Sequence, residues 1–241
     1  MKKQKNNNTL WIFGHHAVVA ALQNPNRDKL LLKMTKETAL PAELTHNITT
    51  QIVSRQEIDA LAGPGAVHQG LALQVKPLLA QVVEDVLGNV SEKAVILILD
   101  QVTDPHNIGA ILRSAAAFNA IAVIIPDANA PAESAVLAKS ACGALEIVPL
   151  IRVTNLVRTM QQLKDAGFWC LGLDGYATEL ISEKKLPQKC AFVLGSEGDG
   201  MRRLTAENCD YTIKLPISEK MESLNVSNAA AIALYEFNRS C

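Results

Sequence analysis

The chain has 241 residues, 49% of them hydrophobic, and its 23 basic and 24 acidic side chains give a formal net charge of −1. This is enough apolar material for one large domain, or for a small one joined to a medium one. So even a charge balance neither demands nor excludes nucleic acid, because a basic patch can sit inside a neutral total.

The start, Met1-Lys2-Lys3-Gln4-Lys5, has the charge of an export signal. Asn6 to Asn8 and then His15-His16 interrupt the apolar stretch that should follow, so a frayed polar tail is expected. Residues 14–22 have helical spacing and stop at Asn24-Pro25. Residues 29–34 and 51–53 read as short strands, 56–61 as a helix ending at Gly63-Pro64-Gly65, and 70–75 as a strand closing a small alternating unit. Pro77 opens a linker that reaches Lys93, with a helix near 81–87. Apolar strands follow at 95–99, 122–125, 146–148, 169–173, 191–194 and 212–215. Helices are expected between them at 108–118, 132–141 and 155–166, and a last one at 228–238. Continuously apolar strands alternating with helices predict a parallel sheet covered on both faces. In such sheets ligands bind where loops leave the carboxyl ends of the strands.

Other classes of chemistry find little support. The five cysteines, at 142, 170, 190, 209 and 241, are odd in number and include no C-x-x-C pair. Reduced thiols in a cytoplasmic protein fit them better than disulfides or a thiolate zinc site. The longest apolar runs, 94–99 and 120–125, are too short to cross a bilayer. His15, His16 and His68 read as structural or RNA-contacting residues rather than metal ligands.

Three strand-end segments carry the candidate chemistry. The first runs from Asp100 through Asp104-Pro105-His106-Asn107-Ile108-Gly109 to Arg113. Asn107 can cap the helix that begins there, and Gly109 permits a close approach to the backbone. Arg113 lies about 9 Å further along the axis and can grip a phosphate or polarise a hydroxyl. Alone, the segment reads equally as a capped helix with a surface arginine. The second is Gly195-Ser196-Glu197-Gly198-Asp199-Gly200, glycines and carboxylates after an apolar strand. It lacks the G-x-G-x-x-G spacing and comes too late in the sheet for a nicotinamide enzyme. The third runs from Leu215-Pro216-Ile217 to Glu222-Ser223-Leu224-Asn225-Val226-Ser227. Ser227 or Asn228 can cap the last helix, and Ser223 and Asn225 share a side if the segment is extended.

Taken in order, the three segments resemble the motifs of the SpoU (TrmH-like) branch of the SPOUT RNA methyltransferases, over roughly Val95 to the C-terminus. Phe13-Gly14-His15-His16-Ala17-Val18 and Val67-His68-Gln69-Gly70 are similar to the substrate-binding domain of the ribosomal RNA guanosine-2'-O-methyltransferases. The resemblance implies a parallel-sheet α/β knot, a deep C-terminal trefoil, with a small N-terminal α/β substrate-binding domain. Residues 1–76 would be that domain, 77–93 the linker and 94–241 the methyltransferase domain. It implies S-adenosylmethionine as methyl donor without a metal, and the ribose 2'-hydroxyl of a guanosine in large-subunit (23S) ribosomal RNA as acceptor. It also implies a cytoplasmic homodimer with no membrane or DNA partner. Arg113 would be the main catalytic residue, with Asn107, Glu197, Ser223 and Asn225 holding the reacting groups. Gly195, Leu215, Ile217 and Leu224 would contact the donor, with the loop after Leu173 nearby. One departure stands out: Ser218-Glu219-Lys220 occupies a place where the family often has a glycine. Two other readings remain open: a transfer RNA 2'-O-methyltransferase, or a non-catalytic RNA-binding ribosome-assembly protein with the same fold.

Overall fold

A computed structural model of the chain describes residues 9–88, 90–128, 130–218 and 220–240. The polar tail expected at the start, Glu219 and Cys241 lie outside the described residues.

The front unit is a four-stranded sheet. Strands β1 (Leu10–Phe13), β2 (Lys29–Met34), β3 (Thr50–Ile52) and β4 (Leu71–Val75) are ordered β1-β4-β2-β3, and only β2 and β3 run parallel. Helix α1 (His15–Gln23) buries Ala17, Val18, Ala21 and Leu22, the spacing of an amphipathic helix. Helices α2 (Ala42–Thr45) and α3 (Arg55–Ala62) complete the unit. Strand β1 has no signature in the sequence, because four residues cut off by Gly14 are too few to show alternation; its pairing with β4 makes it a strand.

The body is a six-stranded, wholly parallel sheet, as expected. Its strands are β5 (Ala94–Leu99), β6 (Ala122–Pro126), β7 (Leu150–Val153), β8 (Trp169–Leu173), β9 (Lys189–Leu194) and β10 (Tyr211–Ile213), in the order β10-β8-β9-β5-β6-β7. Alternation along β5 shows both faces covered. Val95, Leu97 and Leu99 pack with α5 (Pro105–Ala117), α6 (Ala135–Ala141) and α9 (Val226–Ser240). Ala94, Ile96 and Ile98 face α7 (Leu156–Asp165) and Val83 of α4 (Val83–Leu87). The short α8 (Arg203–Glu207) precedes β10. Among the described residues no helix is long and apolar enough to cross a membrane.

One predicted strand is corrected. Residues 146–148 are not extended: Ala144–Glu146 forms a 3-10 turn and β7 begins only at Leu150. Glu146 is drawn into a buried ion network, which holds this stretch out of the sheet. Arg27, whose side chain is fully buried, pairs with Glu146 and Glu133 and donates to the Lys76 carbonyl at 2.9 Å. Asn24 also donates to Glu146, and Glu133 accepts from the backbone N–H of Leu78. Burial opposes the charge on Arg27, but Glu146, with Glu133 behind it, holds the guanidinium above its ordinary value. The network ties front unit, connecting segment and body together. Glu133 and its neighbours are used this way, so α6 starts at Ala135, later than residue 132, with Ser134 as its cap.

Candidate active site

Four strands end in one row. Leu99, Leu194, Leu173 and Ile213 are register partners across β5, β9, β8 and β10. All three candidate segments therefore leave the sheet at one end, the first two from the adjacent strands β5 and β9 and the third from β10, one strand further across β8.

Helix α5 begins at this edge. Its cap is Asp104, whose carboxylate accepts from the His106 N–H at 2.9 Å, and Pro105 fills the first helical position, where no N–H is needed. Asn107 is therefore not the cap expected of it, and its side chain is free to bond elsewhere. Gly109 serves packing: an added Cβ would meet Ser140 Cβ at 2.5 Å and Leu137 O at 2.9 Å. What approaches this glycine is α6, not a ligand.

The glycine-rich loop closes as a tight hairpin, with Ser196 and Gly200 exchanging backbone hydrogen bonds of 3.1 and 3.2 Å. A Cβ on Gly195 would lie 2.0 Å from Gly200 C, so no other residue fits there. Asp100, fully buried at the end of β5, accepts from the Arg202 N–H at 2.8 Å and from its Nε at 2.7 Å. The far end of the loop is thus pinned to the central strand. Sequence reasoning missed this pair; the available signal is an acid directly after a continuously apolar strand.

The three segments meet on one carboxylate oxygen. Glu197 Oε1 accepts from Asn225 Nδ2 at 2.7 Å, Asn107 Nδ2 at 3.1 Å and the Val226 N–H at 3.3 Å. Asn225 Nδ2 also donates to Asn107 Oδ1 at 3.1 Å. Asn225 caps α9, accepting from the Ser227 N–H at 2.9 Å, so the cap lies earlier than Ser227 or Asn228. Among the described residues Glu197 Oε2 has no hydrogen bond, and neither has the exposed Ser223 side chain.

Arg113 does not join this cluster. It is exposed on another side of α5, with Nη1 3.7 Å from Cys142 Sγ. It lines an open cavity of about 230 Å³ with Cys142, Ile147 and His16, the last coming from the front unit. A second cavity of about 240 Å³ lies beside the hairpin, lined by Gln101, Thr103, Ser196, Asp199 and Arg202. Leu173, Leu215, Ile217 and Leu224 line neither cavity. Leu173 and Leu215 are partly buried against the main core, and Ile217 is exposed. The backbone N–H groups of Leu215, Ile217 and Leu224 have no partner among the described residues.

The front-unit motifs prove to be one construction. Gln69 Oε1 accepts from the His15 N–H at 2.8 Å at the start of α1. The His68 ring is fully buried, with Nε2 2.8 Å from Asp59 Oδ1 and Nδ1 accepting from the Gly70 N–H. His68 is thus structural. Among the described residues no group of three or more His, Cys, Asp or Glu is placed to hold a metal ion. Burial pushes the Cys170 and Cys209 thiols up to about 12, which leaves them unsuited as nucleophiles at neutral pH.

Known families match most of the chain. The SpoU rRNA Methylase family matches residues 94–235, and the RNA 2'-O ribose methyltransferase substrate binding family matches residues 11–81. The chain is 47% identical over 235 residues to a 23S rRNA (guanosine-2'-O-)-methyltransferase RlmB of Photobacterium profundum, covering 93% of this chain and 95% of that one. It is 45% identical to the protein of the same name in Vibrio cholerae, again over 93% of this chain and 94% of that one. Among solved structures, the SpoU methyltransferase AviRb of Streptomyces viridochromogenes in complex with the cofactor AdoMet superposes with a TM-score of 0.82 at 21% identity, over 96% of this chain and 90% of that one. At that identity the likeness is one of fold. The A. aeolicus TrmH/SpoU tRNA modifying enzyme, 26% identical with a TM-score of 0.55, covers 65% of this chain and 79% of its own.

Proposed function

We propose, from the premise that this chain belongs to the SpoU rRNA Methylase family, that it transfers a methyl group from S-adenosylmethionine to the 2'-hydroxyl of a guanosine in 23S ribosomal RNA. The observation that carries the chemistry is the convergence of three strand-end loops on Glu197 Oε1. The choice of RNA rests on the relatives named for that reaction, matched over nearly their whole length. A transfer RNA substrate is less well supported, since the tRNA-modifying neighbour covers only 65% of this chain.

The residues present fit the donor. The unpartnered N–H groups of Leu215, Ile217 and Leu224 would be free to hold the polar edge of the donor's adenine. Asp174-Gly175 follows Leu173, and the Glu222 carbonyl lies within 3.6 Å of where a Gly175 Cβ would be, so the loops after β8 and β10 are neighbours. S-adenosylmethionine supplies a methyl on a sulfonium, a good leaving group that calls for no metal. What the chain itself must supply is help for the poor nucleophile. Arg113, whose guanidinium offers only N–H donors, is suited to stabilise negative charge growing on the ribose oxygen rather than to take its proton. Glu197 Oε2, left free by the crowding of Oε1, can accept the 2'-hydroxyl and orient it. Asn107 and Asn225 hold that carboxylate still, and Ser223, two residues before Asn225, would supply a further ribose contact.

Several finer features belong to the same proposal. The chain leaves β9, adds β10 outside β8, and returns to lay α9 against α5, β5 and β9; this path supports the deep trefoil knot. Arg113 stands apart from the Glu197 cluster within one chain, which supports a homodimer in which one copy's Arg113 serves its partner's donor loops. Residues 1–76 then form the RNA-binding unit, 77–93 the linker and 94–241 the catalytic domain, at work in the cytoplasm.

Full-length protein with labelled S-adenosylmethionine is expected to place a 2'-O-methyl on a guanosine of unmodified 23S rRNA, mapped by nuclease digestion. Label in transfer RNA alone would move the substrate, and donor binding without label in either RNA would leave a binding role. The fit of the donor has its own test. Gly195→Ala forces an overpacked contact of the kind that costs about 1–3 kcal/mol, so donor affinity by calorimetry should fall about tenfold or more. Unaltered affinity would remove the hairpin from the donor site.

A further inference from the structure

The cavity holding Arg113 is lined from both the body and the front unit. Arg113 enters from α5 of the body and His16 from the first turn of α1 in the front unit. One guanidinium and one imidazole face it, and among the described residues the remaining lining is alanine, cysteine and isoleucine, with no carboxylate. That balance suits an anionic group. The volume, about 230 Å³, is below the roughly 300–1,000 Å³ of pockets that enclose a whole drug-sized ligand. It suits a sugar and its phosphate, with the rest of the strand outside.

His16 is the residue of the front motif that lines the Arg113 cavity. Phe13, Ala17 and Val18 are buried in the core, the His15 N–H is held by Gln69, and His68 is locked against Asp59. The His16 ring is exposed, meets the His15 ring edge-on at 5.7 Å, and makes no hydrogen bond among the described residues. Its place is nonetheless fixed. Asn24, which ends α1, and Arg27 just beyond it both bond Glu146, and Ile147 next to Glu146 lines the same cavity. The buried network that seats the front unit therefore also sets the position of His16 relative to Arg113.

We infer that His16 is an RNA-positioning residue, donating a hydrogen bond to a backbone phosphate beside the ribose that Arg113 serves. This rests on the methyltransferase reading of Arg113. The front unit then does more than add affinity for RNA, because it also places one nucleotide at the reacting end of α5.

The test uses full-length His16→Ala, His16→Gln and His16→Phe with unmodified 23S rRNA and labelled S-adenosylmethionine. His16→Ala should raise KM for RNA about tenfold or more, the scale of one lost hydrogen bond to a charged group. Donor affinity and melting temperature should stay at wild-type values, because the side chain is exposed and no residue of its own chain's donor loops lines the cavity. His16→Gln, which keeps a donor, should recover most of the loss, and His16→Phe should not. Wild-type KM in His16→Ala overturns the inference. So does rescue by Phe without rescue by Gln, which would mean stacking on a base. A wild-type protein that methylates no RNA would instead sink the reading on which the inference stands.

Discussion

Arg113→Ala should lower methyl transfer by about a hundredfold to a thousandfold, the usual cost of removing one group aimed at developing charge, while S-adenosylmethionine binds as tightly as before. The separation follows from the geometry. Within its own chain Arg113 touches Cys142 and its cavity, not Glu197, Asn225 or the donor loops. A fall in kcat with unchanged donor affinity is the signature of an interaction made only as the reaction proceeds. Arg113→Lys should recover little, because a point charge on a flexible stem does not reproduce the planar fork. Single-turnover measurement with saturating RNA checks both variants, and ordinary turnover by Arg113→Ala would remove Arg113 from the chemistry.

The same variant tests where the partner groups come from. If Arg113 of one copy serves Glu197 of another, mixing inactive Arg113→Ala with inactive Glu197→Ala should restore activity. Each mixed dimer carries one site with both residues intact, so randomly exchanged dimers regain about a quarter of the wild-type sites. No recovery after verified exchange would place both groups in one chain and require α5 to move.

These expectations show what local pattern can and cannot disclose. The body is legible because β5 alternates between two apolar faces and its neighbours are short apolar runs separated by amphipathic helices. The three motif segments are legible because they leave the strand ends, where parallel sheets expose backbone. Their joining on one oxygen of Glu197 is not: hydrogen bonds between residues 107, 197 and 225 have no periodicity to reveal them. The misplaced strand has the same origin. Glu146-Ile147-Val148 has the composition of a strand end, but a charged partner 119 residues away in sequence decides its conformation. Residue type alone assigns Asn107 to the cap, yet Asp104 stands earlier and has Pro105 behind it, the stronger start signal. The cavity shared by His16 and Arg113 exists only once two units have docked.

That docking yields the largest expected effect on stability. Arg27→Met should destabilise the protein by about 3–5 kcal/mol, because it leaves a buried carboxylate without its counter-charge. The Glu146 side chain is only 4% exposed and Glu133 16%, so the two acids would be stranded unequally, and Glu146 dominates the cost. Adding Glu146→Met to Arg27→Met should recover much of the loss, since a buried ion pair replaced by apolar groups of similar size is often near neutral. Arg27→Lys should remain poor: one ammonium cannot reach Glu146, Glu133 and the Lys76 carbonyl together. Denaturant midpoints read the stability, and KM for RNA reads the seat of the front unit. The double variant separates the two, because it regains stability without the directional bonds that hold α1 at the cavity. It should melt near wild type and still bind RNA weakly. An Arg27→Met protein as stable as wild type would mean that water reaches Glu146, and that the front unit is held by its apolar contacts alone.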